Sequence, residues 1–167
     1  NCTQLRSSSK YVVDFFHKLG VKSIDKEVPD SLFTATEEAV VGFLQGLFSS
    51  DGTLGMGSES RNYVRLNSSS TKLLKQVQLL LLNLGIRSSI YNRSTNPKKF
   101  IYKNKGGKEI EYKTSGINYE LNISKENVPR FIQRIGFLHA KLKDKSLKLN
   151  NFEFYEEHFL DRVKSVE

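Results

Sequence analysis

Asp51 is the residue on which chemistry is most readily built, because of where its neighbours put it. Thr36 is a good helix N-cap, Glu37 and Glu38 place negative charge in a first turn, and Gly52 is a common stop signal. Residues 36–52 (TEEAVVGFLQGLFSSDG) therefore predict a short helix ending on Asp51. A helix C-terminus carries unpaired carbonyls and a negative potential, so a carboxylate there is misplaced unless a cation reverses the penalty. Gly42 and Gly46 lie four residues apart and share a face. Each costs about 1 kcal/mol relative to alanine in a helix interior, a loss that another backbone packed close to that face would offset. Two such helices packed together, each delivering one carboxylate from its C-terminus, would make a divalent-metal site of oxygen ligands. The same residues also read as a core helix followed by an ordinary Asp-Gly turn.

The stretch FLQGLFSSDGT, residues 43–53, resembles the LAGLIDADG (dodecapeptide) motif of homing endonucleases in the form found in inteins. Ser49 stands at a position that is usually acidic in that family, and Asp51 at that of its metal-binding acid. The resemblance implies an α+β fold, a LAGLIDADG homing endonuclease-like repeat. Its antiparallel sheet carries helices on one face and forms a DNA-binding saddle with the other. It further implies a site-specific endonuclease that cuts double-stranded DNA at an intein insertion site with Mg²⁺. Asp51 would be the metal ligand, with the Ser50 carbonyl as a possible second oxygen. A catalytic lysine is implied at Lys141, with Lys143 as its rival because the register after Gly136 is uncertain by two residues, and at Lys26 as the counterpart before the motif. Each of these lysines also reads as a plain phosphate contact. A different class stays open, a non-catalytic nucleic-acid-binding protein on the same fold, either an RNA maturase or a DNA-binding regulator.

Composition agrees with a polyanionic partner. Lysine and arginine outnumber aspartate and glutamate 26 to 18, giving a formal charge of +8, and no basic amphipathic helix or long apolar run speaks for a membrane. The single cysteine, Cys2, excludes an intrachain disulfide framework and a zinc knuckle, and points to a reducing, cytoplasmic compartment. The three histidines are scattered without ligand spacing.

Alternation and helical periodicity supply the frame. Residues 53–57, 62–68, 86–93 and 118–124 read as strands; residues 71–84 read as a helix whose Leu73, Val77, Leu80 and Leu84 form one stripe behind a Ser70 cap. The strands leave a polar face on which Arg61, Tyr63, Arg65, Asn67, Arg87, Ser89, Tyr91 and Arg93 are the expected DNA contacts, since arginine pairs with guanine and asparagine with adenine in the major groove. Residues 94–117 read as a projecting hairpin. Between residues 92 and 113 there are seven basic residues against two acidic ones. That run is either a solvated face or a phosphate-contacting extension led by Lys98, Lys99, Lys103 and Lys105.

Residues 4–20 can be laid ungapped over 120–136, with Leu5 on Leu121, Val12 on Val128, Phe15 on Phe131 and Gly20 on Gly136. This internal repeat divides the chain into the tail of a first repeat and a linker (1–30), a complete repeat (31–150) and a C-terminal segment (151–167) leading toward an intein splicing half. The partner helix is then expected from an upstream repeat in the parent chain or from a second copy as a homodimer. No terminal His-Asn pair is present, so the chain is not expected to splice.

Overall fold

Two hydroxyl side chains start the two longest helices. Thr36 accepts from Ala39 N and opens α1, Glu37–Asp51; Ser70 accepts from Leu73 N at 3.1 Å and opens α2, Thr71–Asn83. In this computed structural model the described residues are 9–10, 26–56, 62–103, 106–107, 109–124 and 126–149. Residues 4–8 and 11–20 of the repeat, Arg61, Lys105 and the whole of 151–167 lie outside them.

The strands are β1 (Gly52–Gly55), β2 (Tyr63–Ser68), β3 (Ser89–Asn92), β4 (Lys99–Lys103), β5 (Glu109–Lys113) and β6 (Tyr119–Ser124). A four-stranded antiparallel sheet has the order β1-β2-β6-β3, while β4 and β5 pair only with each other. Strand β6, late in sequence, thus lies between β2 and β3. Arg65 faces Asn122 across one ladder and Tyr91 faces Glu120 across the other. Two short helices, α3 (Asn127–Arg134) and α4 (Ala140–Leu147), complete an α+β repeat.

The alternating apolar residues Val64, Leu66, Leu121 and Ile123 turn to one side of the sheet and are fully buried with Leu44 and Phe48 of α1 and Leu74, Val77 and Leu81 of α2. Phe48 meets Phe131 of α3 edge to face, with ring centroids 4.8 Å apart, and Phe131 reaches Phe137 at 5.4 Å. The expected helices and strands are present with two shifts. The third strand begins at Ser89 and not at residue 86, because Ile86 is spent closing α2: its N–H donates to the Leu81 carbonyl and its side chain is buried. The segment before α1 is no loose linker over residues 26–29. Val28 is fully buried, its N–H donates to Gln76 Oε1 at 2.8 Å, and Glu27 pairs with Lys72, an ion pair that raises the Lys72 pKa.

Candidate nucleic-acid interface

Helix α1 delivers Asp51 as its last residue, exposed, directly before β1. The junction is tight. A Cβ on Gly52 would lie 2.4 Å from the Phe48 carbonyl oxygen, the same carbonyl to which the Gly52 N–H donates, so a glycine is what lets the chain leave the helix there. One turn back, Ser49 Oγ donates to Gln45 O at 2.5 Å and accepts from Leu138 N at 2.7 Å; Gln45 Nε2 donates to Ile135 O at 2.7 Å. The serine at a position expected to be acidic is thus a fastening between α1 and the chain entering α4.

That fastening places α4. Lys145, from its last turn, donates to the Leu54 carbonyl in β1, three residues beyond Asp51. Sequence reasoning singled out Lys141 and Lys143, which are exposed on α4, and passed over Lys145; only the docking of α4 on β1 distinguishes it. Lys26 is half-buried, and its carbonyl accepts from Ser70 Oγ at 2.6 Å, just past the end of β2 that pairs with Gly52.

The other faces of α1 differ. Val40, Leu44 and Phe48 are buried, whereas Gly42 is exposed, Gly46 half-buried, and a Cβ built on either meets nothing within 4 Å. Among the described residues nothing packs on the glycine face.

The polar side of the sheet presents Tyr63, Arg65 and Asn67 from β2, Ser89 and Tyr91 from β3, with Arg87 before it and Arg93 after it. The Arg65 guanidinium lies 3.7 Å from the Tyr63 ring centroid, and that ring in turn covers Gly55, where a Cβ would strike it. Arg93 sits 5.1 Å from the Tyr91 ring. The arginines of this face have acidic partners on it. Glu120, buried on the central strand, takes Arg65 Nη1 at 3.5 Å on one carboxylate oxygen and Arg93 Nη2 at 3.1 Å on the other, and buried Glu126 takes Arg87 Nη2 at 2.9 Å. The alternation of β6 already set Glu120 opposite the apolar Leu121, but not which arginines flank it.

The hairpin of β4 and β5 stands apart from the sheet. Lys98, Lys99 and Lys103 are exposed, and Lys99 and Lys103 pair across the hairpin with the exposed Glu111 and Glu109 at 3.0 and 3.6 Å. Register puts Phe100 opposite Tyr112 and Tyr102 opposite Ile110, an aromatic face with Phe100, Tyr102 and Tyr112 exposed. Among the described residues no three His, Cys, Asp or Glu side chains form a group that could hold a metal ion, and no helix is long and apolar enough to cross a membrane.

The family described as "LAGLIDADG-like domain" matches residues 38–136, from the first turn of α1 to the glycine after α3. The chain is 33% identical over 124 residues to the replicative DNA helicase DnaB of Rhodothermus marinus, covering 73% of this chain and 12% of that one. It is 30% identical over 108 residues to the NrdEB α subunit of ribonucleoside-diphosphate reductase from Bacillus subtilis, covering 64% and 10%. It is also 30% identical over 142 residues to a DNA polymerase of Thermococcus hydrothermalis, covering 85% and 7%. The chain spans about a tenth of the length of these curated relatives. Among solved structures it is similar to mesophilic variants of the homing endonuclease I-DmoI, at 20% identity and a TM-score of 0.48, over 77% of this chain and 53% of that one.

Proposed function

Since this chain belongs to the LAGLIDADG-like domain family, we propose that it is the DNA-cutting part of a mobile intein, a site-specific endonuclease that hydrolyses phosphodiester bonds in double-stranded DNA with a divalent metal. The observation that carries the reading is Asp51: a carboxylate on the last residue of α1, exposed, on the helix whose Gly42–Gly46 face is open. A helicase, a reductase and a polymerase share little chemistry. A segment common to all three and amounting to about a tenth of each supports an inserted element over any of the hosts' own activities.

The donor set fits half of a metal site. One carboxylate and the Ser50 carbonyl, free of an intrahelical partner at the end of α1, are the hard oxygen ligands that Mg²⁺ takes while keeping several waters. Asp51 and Ser50 would hold the ion at its edge, and a second acid would come from another helix of the same kind packed on the glycine face. That helix would belong to an upstream repeat or a second copy. Bound there, a divalent cation supplies hydroxide near neutral pH and neutralises charge on the phosphorane. The chain's own residues do the rest. Lys145 is held beside β1, Lys141 and Lys26 are further cations for the scissile phosphate, the polar sheet face reads the groove, and the hairpin lysines engage flanking phosphates.

The test is cleavage of duplex DNA carrying the uninterrupted host-gene sequence, with Mg²⁺, by the protein and its Asp51→Asn variant. The expected result is a loss of cutting of about 100-fold or more with binding kept. Undiminished cutting by the variant would remove Asp51 from the site. Salt-dependent binding without cutting by either protein, both as this chain and within its full parent protein, would favour the non-catalytic nucleic-acid binder.

A further inference from the structure

Arg65, Arg87 and Arg93 of the sheet face are each ion-paired, and their partners are buried. We infer that Glu120 is a specificity-determining residue, which neutralises Arg65 and Arg93 so that the sheet reads base edges without acting as a sequence-blind phosphate binder. The inference rests on the DNA-binding reading above and concerns how that surface divides its labour.

The geometry is particular to this chain's strand order. Glu120 lies on β6 between β2 and β3, and each of its two oxygens holds one guanidinium, from Arg65 on one side and from Arg93 on the other. Its side chain is 9% exposed, against 65% and 70% for Lys99 and Lys103 on the hairpin. The buried carboxylate is fixed in position and screened less by salt than the hairpin pairs, which are exposed on both sides, although Arg65 and Arg93 themselves are 32% and 51% exposed. Arg87 and Glu126 repeat the arrangement at the edge of the sheet. Among the described residues, three arginines against two buried carboxylates leave a small positive excess on the reading face, although the chain as a whole carries +8.

A guanidinium has five N–H donors, so Arg93, which gives one from Nη2 to Glu120, and Arg65, whose Nε is buried, both keep terminal donors for a guanine edge. Held by Glu120 and, for Arg65, by the Tyr63 ring, each arginine has little freedom to swing to a phosphate. Attraction to the DNA backbone is then left to the periphery, to Lys98, Lys99, Lys103 and Lys113 of the hairpin. Backbone contacts set affinity and its salt dependence, and base contacts set the sequence.

The experiment measures binding to a random-sequence duplex pool of about 30 base pairs as a function of salt, then sequences the DNA that each protein enriches from that pool. Circular dichroism melting verifies that each variant is folded. Glu120→Gln should bind the unselected pool several-fold tighter at low salt, with the slope of log K against log salt steeper by ~0.9 for each arginine released to a phosphate, and should enrich a weaker consensus. Adding Arg93→Gln to Glu120→Gln should return the pool affinity and slope toward the parent values, which a merely structural role for Glu120 would not produce. Two further variants serve should Glu120→Gln fail to fold. Arg93→Gln alone should leave the pool slope unchanged while blurring part of the consensus, and Lys103→Gln should lower the slope with the consensus intact. Equal slope losses from Arg93→Gln and Lys103→Gln, or a folded Glu120→Gln with parental slope and consensus, would overturn the inference while leaving the DNA reading in place. Absence of salt-dependent binding to any duplex by the parent protein would overturn both.

Discussion

Helices α1 and α2 pack on the same side of the same sheet, and both begin with a hydroxyl cap, yet the described residues cover them differently. Over 13 residues α2 buries five, Leu73, Leu74, Val77, Leu80 and Leu81, and Gln76 and Gln78 are tied to Val28 N and Ser88 O. Over 15 residues α1 buries Val40, Leu44 and Phe48, an i, i+4, i+8 stripe, with Val41, Phe43 and Leu47 partly buried against the core beside it. Among the described residues nothing lies within 4 Å of a Cβ built on either of its glycines. The described residues account for the buried stripes of both helices but not for the two glycines of α1. Their propensity penalty is offset by no contact among those residues.

The comparison can be broken in four ways. The largest effect is expected from Phe48→Ala, which empties the place where α1 meets Phe131: about 3–5 kcal/mol in urea unfolding, against 2–5 kcal/mol for Leu74→Ala in α2. Equal costs would confirm that the buried stripe of α1 is as much core as that of α2. Next, Ser49→Ala leaves Leu138 N without its acceptor and should cost about 1–2 kcal/mol in the same measurement, since one hydroxyl serves two backbone partners. Gly46→Ala sharpens the contrast by its sign, because with nothing within 4 Å it should raise the stability of this chain by up to about 1 kcal/mol. Gly46→Leu should abolish DNA cutting, and normal cutting would show that no second helix packs there. The smallest effect separates the helix starts by pH. The Glu38 pKa is lowered from 4.5, first by its own backbone N–H and then by the Thr36 hydroxyl, whereas α2 has no acid in its first turn. A lowered carboxylate stabilises fully above its unfolded value and loses that contribution as pH falls through the folded one. Melting at neutral pH and near pH 3 should therefore shift less in Glu38→Gln than in the parent.

Much of this was legible in the sequence because it is local. Thr36, Ser70 and the apolar spacings act within a few residues, and they fixed α1 and α2 nearly to the residue. The hairpin was legible for the same reason, as two aromatic runs around Gly106 and Gly107. What escaped depends on strands meeting from far apart. Glu120 could be assigned to the polar side of its strand, but its hold on Arg65 and Arg93 exists only because β6 enters between β2 and β3, an order that no period of two encodes. Lys145 escaped likewise, since Leu54 is remote in sequence and the connection runs through the Ser49 fastening. The start of α3 likewise depends on a residue remote in sequence, Arg87. Glu126 precedes the helix without a side-chain cap, because its carboxylate and the Asn127 amide are occupied with Arg87.

The place where the hairpin leaves the sheet has a further consequence. Arg93 N donates to Asn118 O, Thr95 N to Gly116 O, and Ser94 Oγ joins the Asn118 backbone, all before β4 begins at Lys99. The sheet is sealed at this neck, and β4 and β5 share no ladder with the other four strands. The hairpin is therefore an interchangeable attachment. Its length, charge and aromatic face can be rewritten in evolution or by grafting while every cross-strand pair of the reading surface keeps its register.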